Sequence, residues 1–256
     1  MNSSDGLRAL REKLKTGGAS IGSWCQLPSP DIAEILAFQE FEWITFDMEH
    51  GLISYQDLPN MCRAVEARSK ISLARLGDCG RMEILRALDA GCSGIICPMI
   101  ESKQKLLDII DMASWPPTGK RGVAFNRNNL FGLRFDEEKY VSENPFIVAM
   151  IETRKGVDNL SEILSVDKLD AILVGPYDLS ASYGVTAQFD SPEFLEALSS
   201  MEMLCKKHGV PFGIHQVEPS VDLLQKNIAN GYRFIAYSMD TVFLTTNSNF
   251  LLDDSV

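Results

Sequence analysis

Short apolar runs alternate along the chain with segments whose apolar residues recur three and four positions apart. The first pattern predicts buried β-strands and the second predicts amphipathic helices between them. Ile32, Ile35 and Leu36 form one such helical stripe. The predicted strands are Ser20–Gln26, Trp43–Asp47, Ile71–Arg75, Gly94–Pro98, Phe146–Ile151, Asp170–Val174, Pro211–His215 and Arg233–Tyr237.

Several helix ends are marked by their residue types. Ser29-Pro30-Asp31 and Ser191-Pro192-Glu193 each offer a capping serine, a proline at the first helical position and then an acid. Lys206-Lys207-His208-Gly209 offers cations in a last turn followed by a terminating glycine. These signals predict helices that start at Pro30 and Pro192, the second of them ending near His208.

Eight strands that alternate with helices in 256 residues predict a single (β/α)8 TIM barrel spanning residues 1–256. An open doubly wound sheet is the competing architecture, but no G-x-G-x-x-G motif follows any predicted strand. The segment Pro116 to Asn144 has no clean periodicity and contains prolines, asparagines and arginines. A long irregular segment in a compact domain predicts a functional loop.

Composition narrows the possible partners. Lys plus Arg number 24 and Asp plus Glu 35, which gives a net charge of −11. Such an acidic chain is repelled by nucleic acid and by anionic membranes, so we expect neither as a partner. No segment is apolar enough for a signal peptide or a membrane span, and the six cysteines include no C-x-x-C pair. We therefore expect a reduced, soluble, cytoplasmic protein.

Polar residues follow several predicted strands, where a barrel of this class carries its chemistry. Glu152 and Asp178 come just after neighbouring strands, and oxygen ligands suit a hard ion such as Mg²⁺ or Mn²⁺. Two alternatives remain open: Glu152 pairs with Arg154 or Lys155, and Asp178 caps the helix that follows it. Together, the two carboxylates favour a metal site.

The other candidates at this end are basic residues. His50 follows two acids in a loop, where a carboxylate can orient the imidazole as a base. Arg75 ends an apolar strand and needs an anionic partner: Asp47, Asp89 or a substrate carboxylate. Glycine-rich phosphate-binding loops are missing after the last two strands, which favours a carboxylate substrate over a phosphosugar. His215 also ends a strand and is a weaker candidate for the site.

The chain contains the segments Phe46-Asp47-Met48-Glu49-His50-Gly51, Pro116-Pro117-Thr118-Gly119-Lys120-Arg121-Gly122, Ile151-Glu152-Thr153 and Val174-Gly175-Pro176-Tyr177-Asp178-Leu179-Ser180. These four segments resemble the HpcH/HpaI family of class II 2-oxo-acid aldolases. The resemblance extends from about Gly22 to Leu244 and implies a barrel whose last helix is exchanged between subunits, commonly in a homo-hexamer. An apolar tail over Val242–Val256 also predicts subunit contacts.

The resemblance implies a metal-dependent carbon–carbon lyase. This enzyme cleaves a 4-hydroxy-2-oxo acid reversibly to pyruvate, or a related 2-oxo acid, and an aldehyde. Glu152 and Asp178 are implied as ligands of Mg²⁺, Mn²⁺ or Co²⁺. The backbone at Gly175 and Pro176 is implied to line the pyruvate carboxylate.

The same resemblance assigns the remaining roles. It makes His50 the general base, assisted by Asp47 and Asp89, and it makes Arg75 the residue that holds the pyruvate oxygen and stabilises the enolate. One position departs from the family pattern: Met150 stands where related aldolases carry a glutamine.

Three rival interpretations stay open. The first is a related reaction at the same site, such as a citrate-synthase-like condensation or a decarboxylation. The second is a Schiff-base aldolase, for which Lys155 is the lysine nearest to a strand end. The third is a non-catalytic binding barrel.

Overall fold

Eight parallel strands close into a barrel in sequential order. The computed structural model describes residues 3–133 and 144–248. All eight predicted strands are present, and the largest boundary difference is at the last, which continues to Met239 rather than Tyr237. The strands are β1 (Ser20–Cys25), β2 (Trp43–Asp47), β3 (Ile71–Arg75), β4 (Gly94–Cys97), β5 (Phe146–Ile151), β6 (Ala171–Val174), β7 (Phe212–Gln216) and β8 (Phe234–Met239).

Helices follow the strands and surround the barrel, which confirms the (β/α)8 architecture. A 3₁₀ segment over Arg127–Gly132 lies between α5 and β5. The helices are α1 (Ser3–Lys15), α2 (Pro30–Phe38), α3 (Leu58–Glu66), α4 (Arg81–Ala90), α5 (Lys103–Ala113), α6 (Arg154–Asp158), α7 (Leu160–Ile163), α8 (Pro176–Ser182), α9 (Pro192–His208), α10 (Val221–Ala229) and α11 (Asp240–Asn247).

The predicted helix ends are confirmed in position, and one of them differs in its capping. The Ser29 side chain accepts a hydrogen bond from the Ile32 N–H at 3.3 Å and caps α2. Ser191 also precedes its helix directly, but its hydroxyl makes no capping bond. Gly209 ends α9 with φ of 71°, a left-handed conformation that glycine adopts without a steric penalty.

Two apolar cores hold the barrel together. One lies between the strands and the surrounding helices. The other fills the barrel interior, where Trp43 stacks on Phe234 with ring centroids 4.3 Å apart. Leu10 and Leu14 of α1 belong to this inner core, so α1 closes the end of the barrel at which the strands begin. The opposite end, where the strands finish, stays available for polar chemistry.

The described part of the irregular segment after α5, residues 116–133, lies at the closed end. Arg127 forms an ion pair with Glu66 at the end of α3, and the Asn128 side chain donates to the Leu88 carbonyl near the end of α4. Helices of this fold run back towards the strand starts, so their last turns mark that end. The described part of the loop therefore does not reach the polar end of its own chain.

Two further observations concern membranes and cysteines. Within the described ranges, no helix is long and apolar enough to cross a bilayer. The six cysteines of the chain are all buried and free, with Cys62 and Cys92 sulfurs 3.7 Å apart. Of the predicted tail contacts, Phe250, Leu251 and Leu252 lie outside the described residues.

Candidate active site

Asp47 and Arg75 form a buried ion pair at the ends of β2 and β3. The parallel register sets the two residues directly opposite each other. Arg75 Nε lies 3.0 Å from Asp47 Oδ1, and Nη2 lies 2.6 Å from Oδ2. This fork-like, two-bond geometry is the strong form of the arginine–carboxylate interaction. Of the three partners that the sequence left open for Arg75, the structure shows Asp47.

The Asp47 carboxylate is saturated with donors. Its Oδ1 also accepts the backbone N–H groups of Glu49 and His50, each at 3.1 Å. Its Oδ2 accepts the side-chain amide of Gln26 at 3.1 Å. Burial raises the pKa of Asp47, but the bonds from Arg75 and these other donors outweigh it and leave the pKa below its usual range. The group is therefore an anion at neutral pH, and it holds the arginine.

Arg75 keeps donors for a ligand. Its Nη1 lies 3.1 Å from Glu49 Oε2, an ion pair beside the Asp47 fork. A guanidinium carries five N–H groups and two of them donate to Asp47, so the two on Nη1 and one on Nη2 make no hydrogen bond within the described residues. Its Cζ lies 5.2 Å from the ring centroid of Trp24, which supports the guanidinium from the barrel interior.

Glu152 lies buried just beyond β5. Its Oε2 accepts the backbone N–H of Met99 at 2.8 Å, and Met99 adopts φ of 53° to present that group. A Cβ at Gly175 would lie 2.6 Å from Glu152 Oε1, so glycine is needed there to leave room for the carboxylate. Burial, together with the nearby charges of Glu49 and Asp178, raises the pKa of Glu152 to about 7.

Neither alternative role for the two carboxylates is present. Lys155 pairs with Glu101 at 2.9 Å, and the guanidinium of Arg154 lies over Tyr183. Glu152 thus has neither cation as its partner. Asp178 is in the first turn of α8, but that helix has no side-chain cap, and the Asp178 side chain is exposed.

This donor set fits a divalent cation. Three carboxylates, Glu49, Glu152 and Asp178, are close enough to influence one another's charge, and Arg75 is the cation among them. Burial, and then repulsion among the carboxylates, raises the pKa of Glu152, and a divalent ion would offset both. Across residues 3–133 and 144–248, no three His, Cys, Asp or Glu side chains are grouped as a complete ligand set. Two protein carboxylates would therefore share the ion with water and substrate oxygens.

His50 lies at the same end of the barrel, and Asp89 does not. The His50 side chain is exposed, while its backbone N–H is held by Asp47. Asp89 is in the last turn of α4 and pairs with Arg121 at 2.8 Å. The expectation that Asp89 assists His50 is not met within one chain, because the end of α4 lies at the opposite end of the barrel.

His215 makes closer contacts with the residues of the site than its position in the sequence indicated. Its ring stacks on Trp24 with centroids 4.6 Å apart and donates a hydrogen bond to the backbone of Ser238. Burial, with the Arg75 charge nearby, lowers its pKa from 6.5 to about 4. A neutral imidazole therefore lies beneath the arginine. Met150 is buried in the apolar interior core, so no polar side chain stands at that position.

Sequence reasoning overlooked two contributors to this site. Gln26 was assigned to the end of a strand and given no role, although a polar side chain at that point is the signal that singled out the other candidates. Met99 acts through its backbone N–H, which a residue type does not reveal. Glu49 was noted in its motif, but its contact with Arg75 depends on the fold.

Comparisons with known proteins agree with this arrangement. Residues 20–246 match the family model described as HpcH/HpaI aldolase/citrate lyase. The chain is 29% identical over 240 residues to 2-dehydro-3,6-dideoxy-6-sulfogluconate aldolase of Pseudomonas putida, covering 93% of each chain. It is 30% identical over 234 residues to hydroxypyruvate/pyruvate aldolase of Sagittula stellata, covering 91% of this chain and 92% of the other.

A solved structure has the same fold throughout. It is the crystal structure of an HpcH/HpaI aldolase/citrate lyase family protein from Burkholderia cenocepacia J2315. It superimposes with a TM-score of 0.88 at 28% identity, covering 94% of this chain and 96% of the other.

Proposed function

Since the chain belongs to the HpcH/HpaI aldolase/citrate lyase family and is a carbon–carbon lyase, we propose that it cleaves a 4-hydroxy-2-oxo acid to pyruvate and an aldehyde with a divalent metal ion. The relatives act on 2-oxo acids that differ in the rest of the molecule. The 2-oxo acid end of the substrate is thus the common feature, and the aldehyde end varies.

The observation that carries the proposal is the pairing of a metal-suited carboxylate set with an arginine that keeps three N–H groups free of hydrogen bonds to the described residues. Glu152 and Asp178 would hold the ion, with Glu49 beside them. A bound divalent ion supplies a Lewis acid that polarises the 2-oxo group. Mg²⁺, Mn²⁺ and Co²⁺ all suit oxygen donors of this kind.

Arg75 has the geometry to stabilise the charge that develops during cleavage. Its N–H groups that are not bonded to Asp47 can donate to the oxygen of the 2-oxo acid as that oxygen becomes an enolate. Asp47 holds the guanidinium in place, so little reorganisation is needed when the charge forms. Gly175 and Pro176 begin α8 beside Glu152, and their backbone is our candidate for lining the acid's carboxylate.

His50 is our candidate for the general base. In the cleavage direction it removes the proton from the 4-hydroxyl group, the C3–C4 bond breaks, and the aldehyde leaves. The electron pair of the broken bond enters the enolate, which then takes a proton at C3 to give pyruvate. The exposed imidazole suits this role because the aldehyde end of the substrate faces the open end of the barrel.

A coupled assay tests the reaction. Purified protein is incubated with a series of 4-hydroxy-2-oxo acids and Mg²⁺ or Mn²⁺, and released pyruvate is detected with lactate dehydrogenase. We expect release that a chelator abolishes and that Asp178→Asn greatly reduces. A protein that condenses a 2-oxo acid into a larger product, but releases no pyruvate from any 4-hydroxy-2-oxo acid, would instead favour the condensation rival.

The Schiff-base rival has little support at its candidate lysine. Lys155 is ion-paired with Glu101 and its side chain is 67% exposed, whereas an amine nucleophile needs to be neutral and desolvated. Borohydride treatment in the presence of pyruvate tests this rival directly. Irreversible inactivation would contradict the metal-dependent proposal.

We propose a homo-hexamer as the assembly. The loop at the closed end of the barrel exposes Phe125, Phe131 and Leu133 to solvent by 74%, 67% and 88%. Exposed apolar side chains grouped in one segment indicate a protein contact. Sedimentation velocity is expected to give a hexamer, with Phe131→Glu giving a smaller species; a monomeric wild type would contradict the proposal.

A further inference from the structure

A line of hydrogen bonds connects the Asp47–Arg75 pair to the first turn of α11. The Thr241 hydroxyl donates to Gln26 Oε1 at 2.9 Å, and Gln26 Nε2 donates to Asp47 Oδ2 at 3.1 Å. Arg75 Nη2 donates to that same Oδ2 at 2.6 Å. Four side chains from β2, β3, α11 and the end of β1 thus form one continuous line.

The orientation of the Gln26 amide in this line is unambiguous. A carboxylate can only accept hydrogen bonds at this position, because its pKa is held below the usual range. The NH₂ group of Gln26 must therefore face Asp47, and its carbonyl oxygen faces the Thr241 hydroxyl. Neither leucine nor glutamate could make both contacts at neutral pH.

The backbone of Gln26 is anchored to the same helix. The buried carboxylate of Asp240 accepts the N–H groups of Gln26, Leu27 and Thr241 at 2.8 to 3.0 Å. The Cys25 thiol donates to the same carboxylate at 3.3 Å. The end of β1 and the start of α11 are therefore joined at one carboxylate, which leaves the Gln26 side chain little freedom to choose another partner.

We infer that Gln26 is a positioning residue for Arg75, and that it acts through Asp47 and is itself aligned by Thr241. The expected effect on the reaction rate rests on the proposed function, whereas the positioning of Arg75 by Gln26 does not. Gln26 does not need to touch the substrate. It restrains the second oxygen of Asp47 and with it the direction of the Nη2–H bonds of the arginine.

The predicted effect falls on turnover. In the proposed reaction, Arg75 stabilises charge that develops only in the transition state. A guanidinium that points in the wrong direction therefore lowers kcat more than it changes KM. We expect Gln26→Leu to lower kcat by about 10- to 100-fold, since small displacements in an active site have effects of this size. Thr241→Val removes only the hydroxyl and is expected to lower kcat by about threefold to tenfold.

Conservative and control variants separate positioning from general destabilisation. Thr241→Ser keeps the hydroxyl and is expected to restore wild-type kcat. Thr245→Val removes a hydroxyl one turn later in α11, where it bonds to the Thr241 carbonyl, and is expected to leave kcat unchanged. In the Gln26→Leu/Thr241→Val double variant, the loss should equal that of Gln26→Leu alone, because Thr241 acts only through Gln26.

A second readout does not depend on catalysis. The Arg75 Nε–H proton, bonded to Asp47 Oδ1, gives a distinct signal in ¹⁵N-correlated spectra, and its exchange with solvent can be timed. We expect faster exchange in Thr241→Val and Gln26→Leu, and wild-type exchange in Thr245→Val.

The outcomes distinguish this inference from the proposed function. If the wild type releases no pyruvate and yet the exchange rates change as stated, the function fails and the positioning role stands. If the wild type is active and the folded Gln26→Leu variant keeps wild-type kcat, KM and exchange, the positioning role is overturned. Additive losses in the double variant would also overturn it.

Discussion

Replacing Arg75 with methionine isolates the energetic coupling between the arginine and Asp47. Asp47 is fully buried and the Arg75 side chain is only 7% exposed, so Arg75→Met leaves a buried carboxylate without its cation. Losing one partner of such a pair typically costs about 3–5 kcal/mol. Total stabilities of about 5–15 kcal/mol make that loss large but measurable. The methionine is apolar and unbranched, so it replaces the aliphatic part of the arginine side chain without adding a charge.

A second substitution, at Asp47, tests whether the unpaired charge causes the loss of stability. Asp47→Asn combined with Arg75→Met removes both charges and keeps acceptors for the backbone N–H groups of Glu49 and His50. We expect the double variant to regain most of the stability that Arg75→Met loses, because the unpaired buried charge is the source of the loss. Neither variant is expected to regain activity, since both lack the free N–H groups.

Urea unfolding at fixed protein concentration and pH 7, followed by circular dichroism, measures these free energies. Lys13→Met is the matched control, because Lys13 and Glu42 form an ion pair at 2.6 Å whose side chains are 42% and 34% exposed. Its loss should be below about 1 kcal/mol. If Arg75→Met costs no more than Lys13→Met, or if the double variant is no more stable than Arg75→Met, the reasoning is refuted.

Three further predictions concern other residues. His50→Ala is expected to slow aldol cleavage by about 10²–10⁴-fold while keeping pyruvate binding, and normal cleavage would move the base elsewhere. Gly175→Ala should weaken Mn²⁺ affinity in calorimetry, because its Cβ would lie 2.6 Å from Glu152 Oε1; an unchanged affinity would count against that carboxylate as a ligand. The pKa of His215 is about 4 in the folded protein and 6.5 in the unfolded chain. As pH falls, the unfolded chain therefore binds the proton at a higher pH than the folded protein does, which favours unfolding. From pH 7 to 4 the wild type should therefore lose about 3 kcal/mol more stability than His215→Phe, and parallel losses would contradict the shift.

The barrel itself was predictable because its strands are short apolar runs with clear boundaries. The interior core requires apolar residues on one face of most strands and the helices require them on the other, so nearly continuous apolar runs result. The helix α1 was overlooked, although Leu7, Leu10 and Leu14 have the helical spacing that marked other helices. Its role in closing the barrel depends on the interior core, which a local pattern does not describe.

The sequence predicted which strand ends carry the site residues, but it predicted less well which of these residues contact each other. Asp47, Arg75, Glu152 and Asp178 meet because parallel strands finish at the same end of a barrel. Asp89 does not join them within the chain, and the direction of α4 explains why: a helix that returns from the strand ends carries its last turn to the closed end.

Partner choice among charged groups depends on distances that the sequence does not contain. Arg75 had three possible anions, and the β2–β3 register selected the one directly opposite it. Gln26 bonds to Asp47 on the adjacent strand β2, and it bonds to Thr241 on the other side, where β1 and β8 close the barrel. Such contacts join residues 26 and 241, which are far apart in sequence, so only the closed fold reveals them.

Proton exchange into pyruvate tests the central claim most directly, because it reports enolate formation without any need to know the aldehyde. Pyruvate is incubated with the protein in D₂O with Mg²⁺ or with a chelator, and deuterium in the methyl group is measured by mass spectrometry. The account predicts exchange that requires the metal and that is lost in Glu152→Gln and in Arg75→Met. Exchange that continues at the wild-type rate in chelator, or in either variant, would contradict it.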